Sequence, residues 1–407
     1  MLPETRCKLN VRDFSNDELL VFETLQKGKP ATKKELEARL GWTASTTNRV
    51  IQSLLQKDAV AEIGQLESSG GRRPSLFDLR ADKGLLLGIH ISFGFVQMVL
   101  CDLKMHLLEQ KVLLLPPVRE DPETVLEAIA GTFRNFLRRQ DRRPEEVLGA
   151  GLGIFGPLDR ETGVIGSPMD FDQPITAWTN LPVRDMLRKK MGIPVYADFA
   201  CNTAALAEYC YGEHQSNRNL ALFLCDMDIS LGQIASGRIL RRMDDRDDGF
   251  SHVSIDLNGE MCYCGKRGCV HQYASVRAVI KRVRQRISAG APTLITAGHI
   301  DFGRIQAAAE AGDETVLAAL EEAGNYFGSA LSDYLNTMDP DRVVIGGSLT
   351  EAGPAFFNGV ISALVRSHGP AITRNICFRS GGSFGRLTAA VGAAALCYEA
   401  TMENPIL

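Results

Sequence analysis

Four residues within one short stretch of the chain have the types and the spacing of a metal site. They are His252, Cys262, Cys264 and Cys269. One imidazole and three thiolates are a ligand set that a tetrahedral structural Zn²⁺ prefers. Gly265 and Gly268 free the backbone to turn, so that neighbouring thiols can reach one ion. Four protein ligands leave no open position, so we expect the metal to brace this loop; the alternative is ordinary buried cysteines.

The composition narrows the class of protein. The chain has 407 residues, of which 23% are charged and 45% hydrophobic, a balance typical of a globular protein of two or three domains. No apolar run approaches the roughly 20 residues that cross a bilayer, and the first residues lack the apolar core of a signal peptide. We therefore expect a cytoplasmic protein without a membrane partner, in which the ten cysteines form no disulfide framework.

The net charge of -4 argues by itself against binding to nucleic acid, but the charge is unevenly divided. Residues 1–80 hold 13 Lys/Arg and 11 Asp/Glu, whereas the rest of the chain holds 32 and 38. A mildly basic head therefore precedes an acidic body.

The pattern of the head predicts three helices followed by a hairpin. Apolar spacing predicts the first helix over Asn16–Lys27. Thr32, with Glu35 three residues later, has the pattern of a capping box that begins a second helix. A tight turn then leads to a third helix over Thr46–Lys57, and the hairpin follows. This arrangement is typical of a winged helix-turn-helix, for which we expect the bounds 1–82.

The third helix is the predicted recognition helix, because its polar side chains can bond base edges in a major groove. The hairpin joins strands Val60–Ile63 and Leu76–Leu79 through a loop whose arginines are expected to reach phosphates or a narrow minor groove. The predicted DNA-binding residues are Thr43, Ser45, Thr46, Thr47, Asn48, Arg49, Gln52, Ser53, Arg72 and Arg73. The alternative is a small helical interaction module whose polar face is solvated.

Beyond the head, strand and helix patterns alternate, which predicts an α/β body. Strand patterns at Leu85–Ile91, Val147–Ile154 and Arg342–Ile345 are interleaved with helical ones such as Thr203–Tyr211. Such alternation indicates open sheets with covering helices. More than 300 residues predict two lobes with a cleft between them.

The chain resembles the ROK family of sugar kinases and sugar-responsive repressors. The resemblance rests on GGRRP at the end of the head and on the body segments GLGIFGPLDRETGVI, CYCGKRGC and DPDRVVIGGSL. It implies a two-lobed body of the actin and hexokinase type (ribonuclease H-like), with sugar, and in the kinases ATP, bound in the cleft. The expected lobes are 83–200, completed by the C-terminal helix 386–407, and 201–385, which carries the zinc motif and a dimerisation surface.

The same resemblance implies that kinase chemistry has been lost. The catalytic Asp of the family kinases falls on Ala200, and their sugar-binding Asn falls on Phe199. The phosphate loop of the family corresponds to residues 90–95, where Phe93 would block a close approach of phosphate. Asp198 lies in a strand-to-helix turn that would aim it differently from a catalytic base.

The sugar contacts of the family are also altered, since its two glutamates correspond to Gly249 and His271. The residues expected to meet an effector are Asp198, Phe199, His252 and His271. Such a pocket should bind hexose poorly, so we expect another ligand, less hydroxylated or anionic, or an empty structural cleft. His271 could equally be a packing residue.

Together these patterns predict a dimeric transcriptional repressor, or a dimer of dimers, with structural Zn²⁺. We expect it to bind pseudo-palindromic double-stranded operator DNA and to respond to a carbohydrate-related small molecule. One alternative is an ATP-dependent sugar kinase with an appended head. Another is a scaffold that neither binds DNA nor senses a ligand.

Overall fold

The head of the molecule combines three helices with a small antiparallel sheet. A computed structural model of the chain describes residue 9 and residues 13–66, 73–115, 121–170, 173–213, 218–241, 249–295 and 300–402. The helices of the head are α1 (Asn16–Lys27), α2 (Lys33–Leu40) and α3 (Ala44–Gln56). Its strands are β1 (Ala31–Thr32), β2 (Val60–Gln65) and β3 (Ser75–Leu79), in the order β1-β3-β2.

Local sequence explains where the helices of the head begin. The predicted capping box at Thr32 and Glu35 is confirmed, and a second one, formed by Ser15 and Glu18, begins α1. Gly41 ends α2 with a φ of 68°, in the left-handed region that glycine adopts without strain. Thr43 caps α3, so this helix begins at Ala44, earlier than predicted.

The body contains two five-stranded sheets, and the first of them follows the head directly. The strands β4 to β12 are Leu85–Ile91, Val96–Asp102, Leu107–Leu113, Val147–Ile154, Leu158–Asp159, Val164–Ile165, Met169–Asp170, Gln173–Pro174 and Val195–Phe199. The first sheet has the order β12-β7-β4-β5-β6, while β8–β9 and β10–β11 are short hairpins. The strands β12, β7 and β4 are parallel, so their carboxyl ends meet at one edge.

The second sheet is assembled from later parts of the chain. Its strands β13 to β17 are Leu220–Cys225, Ile229–Ala235, Arg238–Ile239, Arg342–Gly346 and Ile376–Cys377. The order is β15-β14-β13-β16-β17, with β13, β16 and β17 parallel. The apolar residues on its helix-covered face form a core of their own.

Helices cover both sheets. The helices α4 to α13 are Pro122–Arg139, Val183–Met191, Ala200–Tyr211, His271–Ala274, Val276–Ser288, Phe302–Glu310, Glu314–Met338, Ser348–Glu351, Ala355–His368 and Thr388–Thr401. Within the described ranges, no helix is both long and apolar enough to cross a bilayer.

Glycines allow α6 and α13 to lie unusually close to the first sheet and to each other. A Cβ on Gly151 of β7 would lie 1.7 Å from the carbonyl oxygen of Ala393 in α13. A Cβ on Gly392 of α13 would lie 1.6 Å from the carbonyl oxygen of Thr203 in α6. The helix α13 therefore packs backbone to backbone against the first sheet.

The two-sheet α/β architecture confirms the predicted class of the body, and several elements match closely. Leu85–Ile91 and Val147–Ile154 are strands with the predicted bounds, whereas α6 begins at Ala200 and not at the predicted Thr203. Phe22 of α1 shares one apolar cluster with Tyr398 of α13. Residues of the head and of the body therefore belong to one apolar core. A shared core does not define where one domain ends and the next begins, so the domain bounds stay predictions.

Candidate functional site

The four predicted metal ligands come together in a loop beside the second sheet. All four ligand atoms lie within 4.8 Å of one another. His252 Nδ1 is 3.5 Å from Cys262 Sγ, and the Sγ atoms of Cys264 and Cys269 are 3.6 Å apart. Two thiolates bound to Zn²⁺ at about 2.3 Å on the corners of a tetrahedron lie about 3.8 Å apart. The donor set and its spacing therefore fit a single tetrahedral ion.

Backbone pairing and two glycines hold this loop in place. Ser254 and Cys269 form an antiparallel bridge, which brings the segment after His252 back against the last cysteine. Gly265 and Gly268 have φ values of 87° and 67°. A Cβ on Gly268 would lie 1.7 Å from the carbonyl oxygen of Asp256, so this position requires glycine.

The close donors perturb one another. Burial opposes ionisation of Cys262, but hydrogen bonds from His252 and Cys264 lower the pKa of its thiol to about 6. Burial and the neighbouring cysteines raise the pKa of Cys269 to about 12. A divalent ion that binds here would displace the remaining protons.

His271, predicted to meet an effector, lies in a buried charged cluster next to the metal ligands. Its Nδ1 is 2.7 Å from Asp228 Oδ1, and Arg277 Nη2 is 3.3 Å from Asp228 Oδ2. Burial would raise the pKa of Asp228, but Arg277 and His271 lower it to about 2. The ring of Tyr263 packs edge-on against both His271 and His252, at centroid distances of 5.3 and 5.1 Å.

Asp198 and Phe199, the last two residues of β12, lie in different environments. Asp198 is 2% exposed, and its carboxylate accepts hydrogen bonds from Asn202 at 2.8 Å and from both terminal nitrogens of Arg241 at 3.3 and 2.9 Å. Because Arg241 follows β15, this ion pair links the two sheets. Phe199, which we expected in the cleft, instead packs in the core of the first sheet, since its side chain lies on the opposite side of the strand from Asp198.

A cleft between the sheets contains two cavities that share part of their walls. The first cavity, of about 280 Å³, is lined by His90, Ser167, Ala200, Asp228, Ser230 and Tyr263, among others. The second cavity, of about 490 Å³, has a mainly apolar wall that includes Phe95, Val276, Ile280, Ile300 and Phe302. Ser92, Phe93 and Asp226 line both. Neither Asp198 nor His271 lines either cavity.

The solvent-facing side of α3 carries a row of polar residues. The exposed members of the predicted DNA-binding set on this helix are Ser45, Asn48, Arg49 and Gln52. Asn48 and Arg49 each lie three or four residues from both Ser45 and Gln52, so the four residues share one face. Arg49 forms an exposed ion pair with Asp17 at 2.8 Å, and Lys33 donates a hydrogen bond to Asn48. Thr43 and Thr46, at the start of the helix, bond to each other.

Two predicted members of this face point elsewhere. Thr47 is fully buried and donates a hydrogen bond to the carbonyl of Thr43, so the expectation that it stays outside is wrong. Ser53 is half-buried and donates to Glu18 of α1 at 2.6 Å, which makes it a contact between helices. Arg73 is exposed just before β3, whereas Arg72 lies outside the described residues.

A polar junction between head and body was not predicted from the sequence. Gln26 Nε2 in α1 is 3.0 Å from the hydroxyl of Tyr211 in α6, and Lys27 Nζ is 2.9 Å from the buried Glu399 in α13. Burial would lower the pKa of Lys27, but Cys210 and Glu399 raise it. Polar residues at the end of an amphipathic helix ordinarily indicate solvent exposure, so the sequence carries no signal of this contact.

The match to a family model, which covers residues 87–400, establishes that the chain belongs to the ROK family. Among curated relatives, the xylose repressor of Bacillus spizizenii is 26% identical over 348 residues, covering 85% of each chain. The DNA-binding transcriptional repressor Mlc of Escherichia coli is 22% identical over 363 residues, covering 88% of this chain and 87% of its own.

Solved structures agree with this fold. A ROK family transcriptional regulator, a homologue of the Escherichia coli Mlc protein, superposes with a TM-score of 0.74 at 21% identity over 96% of this chain and 97% of its own. A ROK family glucokinase from Streptomyces griseus, in complex with glucose and AMPPNP, gives a TM-score of 0.61 at 22% identity over 77% and 99%. The regulator therefore matches the head as well as the body, whereas the kinase matches less of the chain.

Proposed function

We propose that this chain is a DNA-binding transcriptional regulator that acts as a repressor. The observation that carries the proposal is the exposed polar face of α3, presented by a head that precedes a ROK body. Relatives that match most of the chain are named repressors, which supports the same assignment.

In this proposal the head is a winged helix-turn-helix, with α2 and α3 as the helix-turn-helix and β2–β3 as the wing. The face of Ser45, Asn48, Arg49 and Gln52 enters the major groove, where amide and guanidinium groups can bond base edges. Thr43 and Thr46 lie at the N-terminus of α3, where their hydroxyl groups can contact the DNA phosphate backbone. Arg72 and Arg73, in the wing, contact phosphates or the minor groove.

Two heads are expected to bind one operator. A charge balance of 13 Lys/Arg against 11 Asp/Glu in residues 1–80 makes one head a weak electrostatic anchor. A homodimer raises the effective concentration of the second head and requires a pseudo-palindromic site. Residues 201–385 carry the dimerisation surface in this proposal, and residues 83–200 with 386–407 form the other lobe.

The body is proposed to sense a small molecule and to lack kinase activity. Ala200 lines the first cavity with a methyl group, which cannot accept a proton from a sugar hydroxyl. Asp198 is held by Arg241 and does not line the cavity, which argues against its use as a substitute base. The similarity to a xylose repressor makes a carbohydrate-related effector the starting hypothesis.

The cluster of His252 and three cysteines is proposed to hold structural Zn²⁺. All four donors are protein atoms, so the ion would brace the loop whose Tyr263 packs against His271. The metal supplies rigidity, and no proton transfer or hydrolysis is assigned to it.

Selection from random DNA duplexes tests the proposal. We expect enrichment of a two-fold-related sequence, and Arg49→Ala should weaken binding to that sequence by about 10-fold to 100-fold, because each base or phosphate contact contributes about 1–3 kcal/mol. Arg138→Ala, which removes an exposed arginine from α4, is the matched control and should bind normally. Enrichment of no two-fold-related sequence would contradict the proposal.

The kinase alternative has its own test. Purified protein with ATP and a panel of sugars should show no turnover of ATP. Turnover that Asp198→Ala abolishes would instead identify a sugar kinase with an appended head.

A further inference from the structure

The two cavities of the cleft are adjacent and differ in the chemistry of their walls. Ser92, Phe93 and Asp226 belong to both walls, so a group bound at Asp226 lies next to both volumes, about 280 and 490 Å³. Small-molecule sites typically enclose about 300–1,000 Å³. The larger volume is therefore by itself sufficient for the body of a small ligand.

The second cavity suits an apolar group. Phe95, just before β5, and Phe302, at the start of α9, line it, and Val276, Ile280 and Ile300 add an aliphatic wall. A sugar placed here would leave hydroxyl groups without hydrogen-bond partners, whereas an aromatic or branched aliphatic group would bury apolar surface on both sides.

Asp226 sets the charge where the cavities meet. Its Oδ1 accepts hydrogen bonds from the backbone N–H and the hydroxyl of Ser348, at 2.7 and 2.5 Å. Among the ion pairs formed by the described residues, Asp226 has no cationic partner. His90 lies nearby, but burial lowers the pKa of its imidazole despite the charge of Asp226, so this ring is neutral at pH 7.

The other carboxylates next to the cleft are already neutralised or face solvent. Asp228 is held by Arg277 and His271, and Glu351 Oε2 lies 3.0 Å from Arg386 Nε. Asp301 is exposed on the rim, where it caps α9. Two arginines line the second cavity. Arg386 is the partner of Glu351, and Arg284 donates to the carbonyl of Ile300 at 2.7 Å.

We propose that the cleft binds a small amphipathic cation, with an ammonium group on Asp226 and an aromatic or branched aliphatic body in the second cavity. This assignment rests on the proposal that the cleft holds the effector, and it differs from a hydroxyl-rich ligand. The apolar body provides the buried area, and the charge-assisted hydrogen bond to Asp226 provides selectivity for a cation.

Calorimetric titration of the metal-loaded full-length protein with phenylethylamine, phenylethanol and phenylacetate tests the charge requirement, because these probes differ mainly in the polar group. The amine should bind at least about tenfold more tightly than the alcohol, since a hydrogen bond between charged groups is stronger than a neutral one. Phenylacetate should bind most weakly. Ethylamine and glucosamine carry the ammonium group without the apolar body, and both should fail to bind.

Asp226→Asn should abolish the preference for the amine while leaving the weaker binding of the alcohol unchanged. Asp301→Asn, which removes an equal charge from the rim and retains a residue that caps helices well, is the matched control and should keep the preference. The melting temperature of each variant, measured without ligand, reports whether the variant folds. If a variant does not fold, titration of the unmodified protein with the amine, the alcohol and the acid tests the charge requirement by itself.

Tightest binding of phenylacetate would show that Arg284 and not Asp226 sets the charge requirement, and would overturn the inference. Binding of glucosamine but not phenylethylamine would overturn the claim that an apolar body occupies the second cavity. Absence of binding by every probe would overturn both this claim and the claim that Asp226 binds an ammonium group. Operator binding is measured separately on the same protein. A protein that selects its operator but ignores these amines contradicts this inference alone, whereas one that binds the amine without selecting an operator contradicts the proposed repressor.

Discussion

The metal cluster and the cleft are neighbours, but they are built in different ways. The four donor side chains of the cluster lie between residues 252 and 269, and the loop that carries them closes on itself through two backbone bridges. The first cavity draws residues from both sheets, between His90 and Tyr263. A site built within one short segment can be predicted from spacing, whereas a site built from distant segments depends on packing.

The buried ion pairs near the cleft also depend on residues that are far apart in the sequence. Asp228 meets both His271 and Arg277 next to the cleft, and Asp198 meets Arg241 between the sheets. In both cases residues more than 40 positions apart bury charge together, and burial of charge is tolerated only with a good partner. Asp198 and His271, two of the four residues predicted to bind an effector, are therefore already engaged in ion pairs.

Loss of the proposed structural metal should produce the largest effect. Cys269→Ala, or removal of the ion with a chelator, is expected to lower the free energy of unfolding by on the order of 5 kcal/mol, because binding energy at a structural site is folding energy. Metal content and thermal unfolding measure the result. Cys377→Ala, outside the cluster, should keep the metal and cost about 1–2 kcal/mol. A chelated protein with unchanged stability would remove the bracing role from the cluster.

Disruption of the buried charges beside the cleft should come next. Arg277→Met is expected to destabilise the protein by about 3–4 kcal/mol, since it leaves the carboxylate of Asp228 buried without the guanidinium. Adding Asp228→Asn should recover part of this loss, as measured by denaturant unfolding. Lys281→Met, one turn later on α8, removes an exposed pair and should cost under about 1 kcal/mol. Equal costs for Arg277→Met and Lys281→Met would mean that burial of the charge is unimportant.

A smaller, pH-dependent effect is expected in the head, which is largely built from local signals. Burial opposes ionisation of Glu18, but hydrogen bonds from Lys57, Ser53 and Ser15 lower its pKa from 4.5 to about 2. A pKa that is lower in the folded state contributes stability above pH 4.5, and this contribution is lost as the pH falls through 2. Glu18→Gln should therefore cost roughly 2–3 kcal/mol at pH 7.

Denaturant unfolding between pH 7 and pH 3 checks this expectation. The difference between Glu18→Gln and the unmodified protein should shrink steadily below pH 4.5. Glu62→Gln, an exposed position on β2, should differ from the unmodified protein by under about 0.5 kcal/mol at every pH. A constant penalty for Glu18→Gln across this range would indicate a packing defect and not a lost charge.

Prediction from sequence succeeded where a signal is local. Thr32 and Glu35 mark a helix start because both partners lie within one turn, and α1 has its predicted bounds for a similar reason. It failed at Thr47, where polarity indicated exposure. The hydroxyl of Thr47 is satisfied by the carbonyl of Thr43, so the side chain could be buried without an unpaired donor.

The sequence by itself determined the α/β alternation and the metal donor set, since each depends on periodicity or on spacing within a short segment. Its ROK body was predicted from the resemblance of four sequence motifs. Tertiary structure decided which charges are neutralised and which remain. It buried Asp198 against Arg241, placed Phe199 in the core and left Asp226 at the meeting point of two cavities. The physical reason is that the environment of a charge depends on all the segments packed around it, and these segments are far apart in the chain.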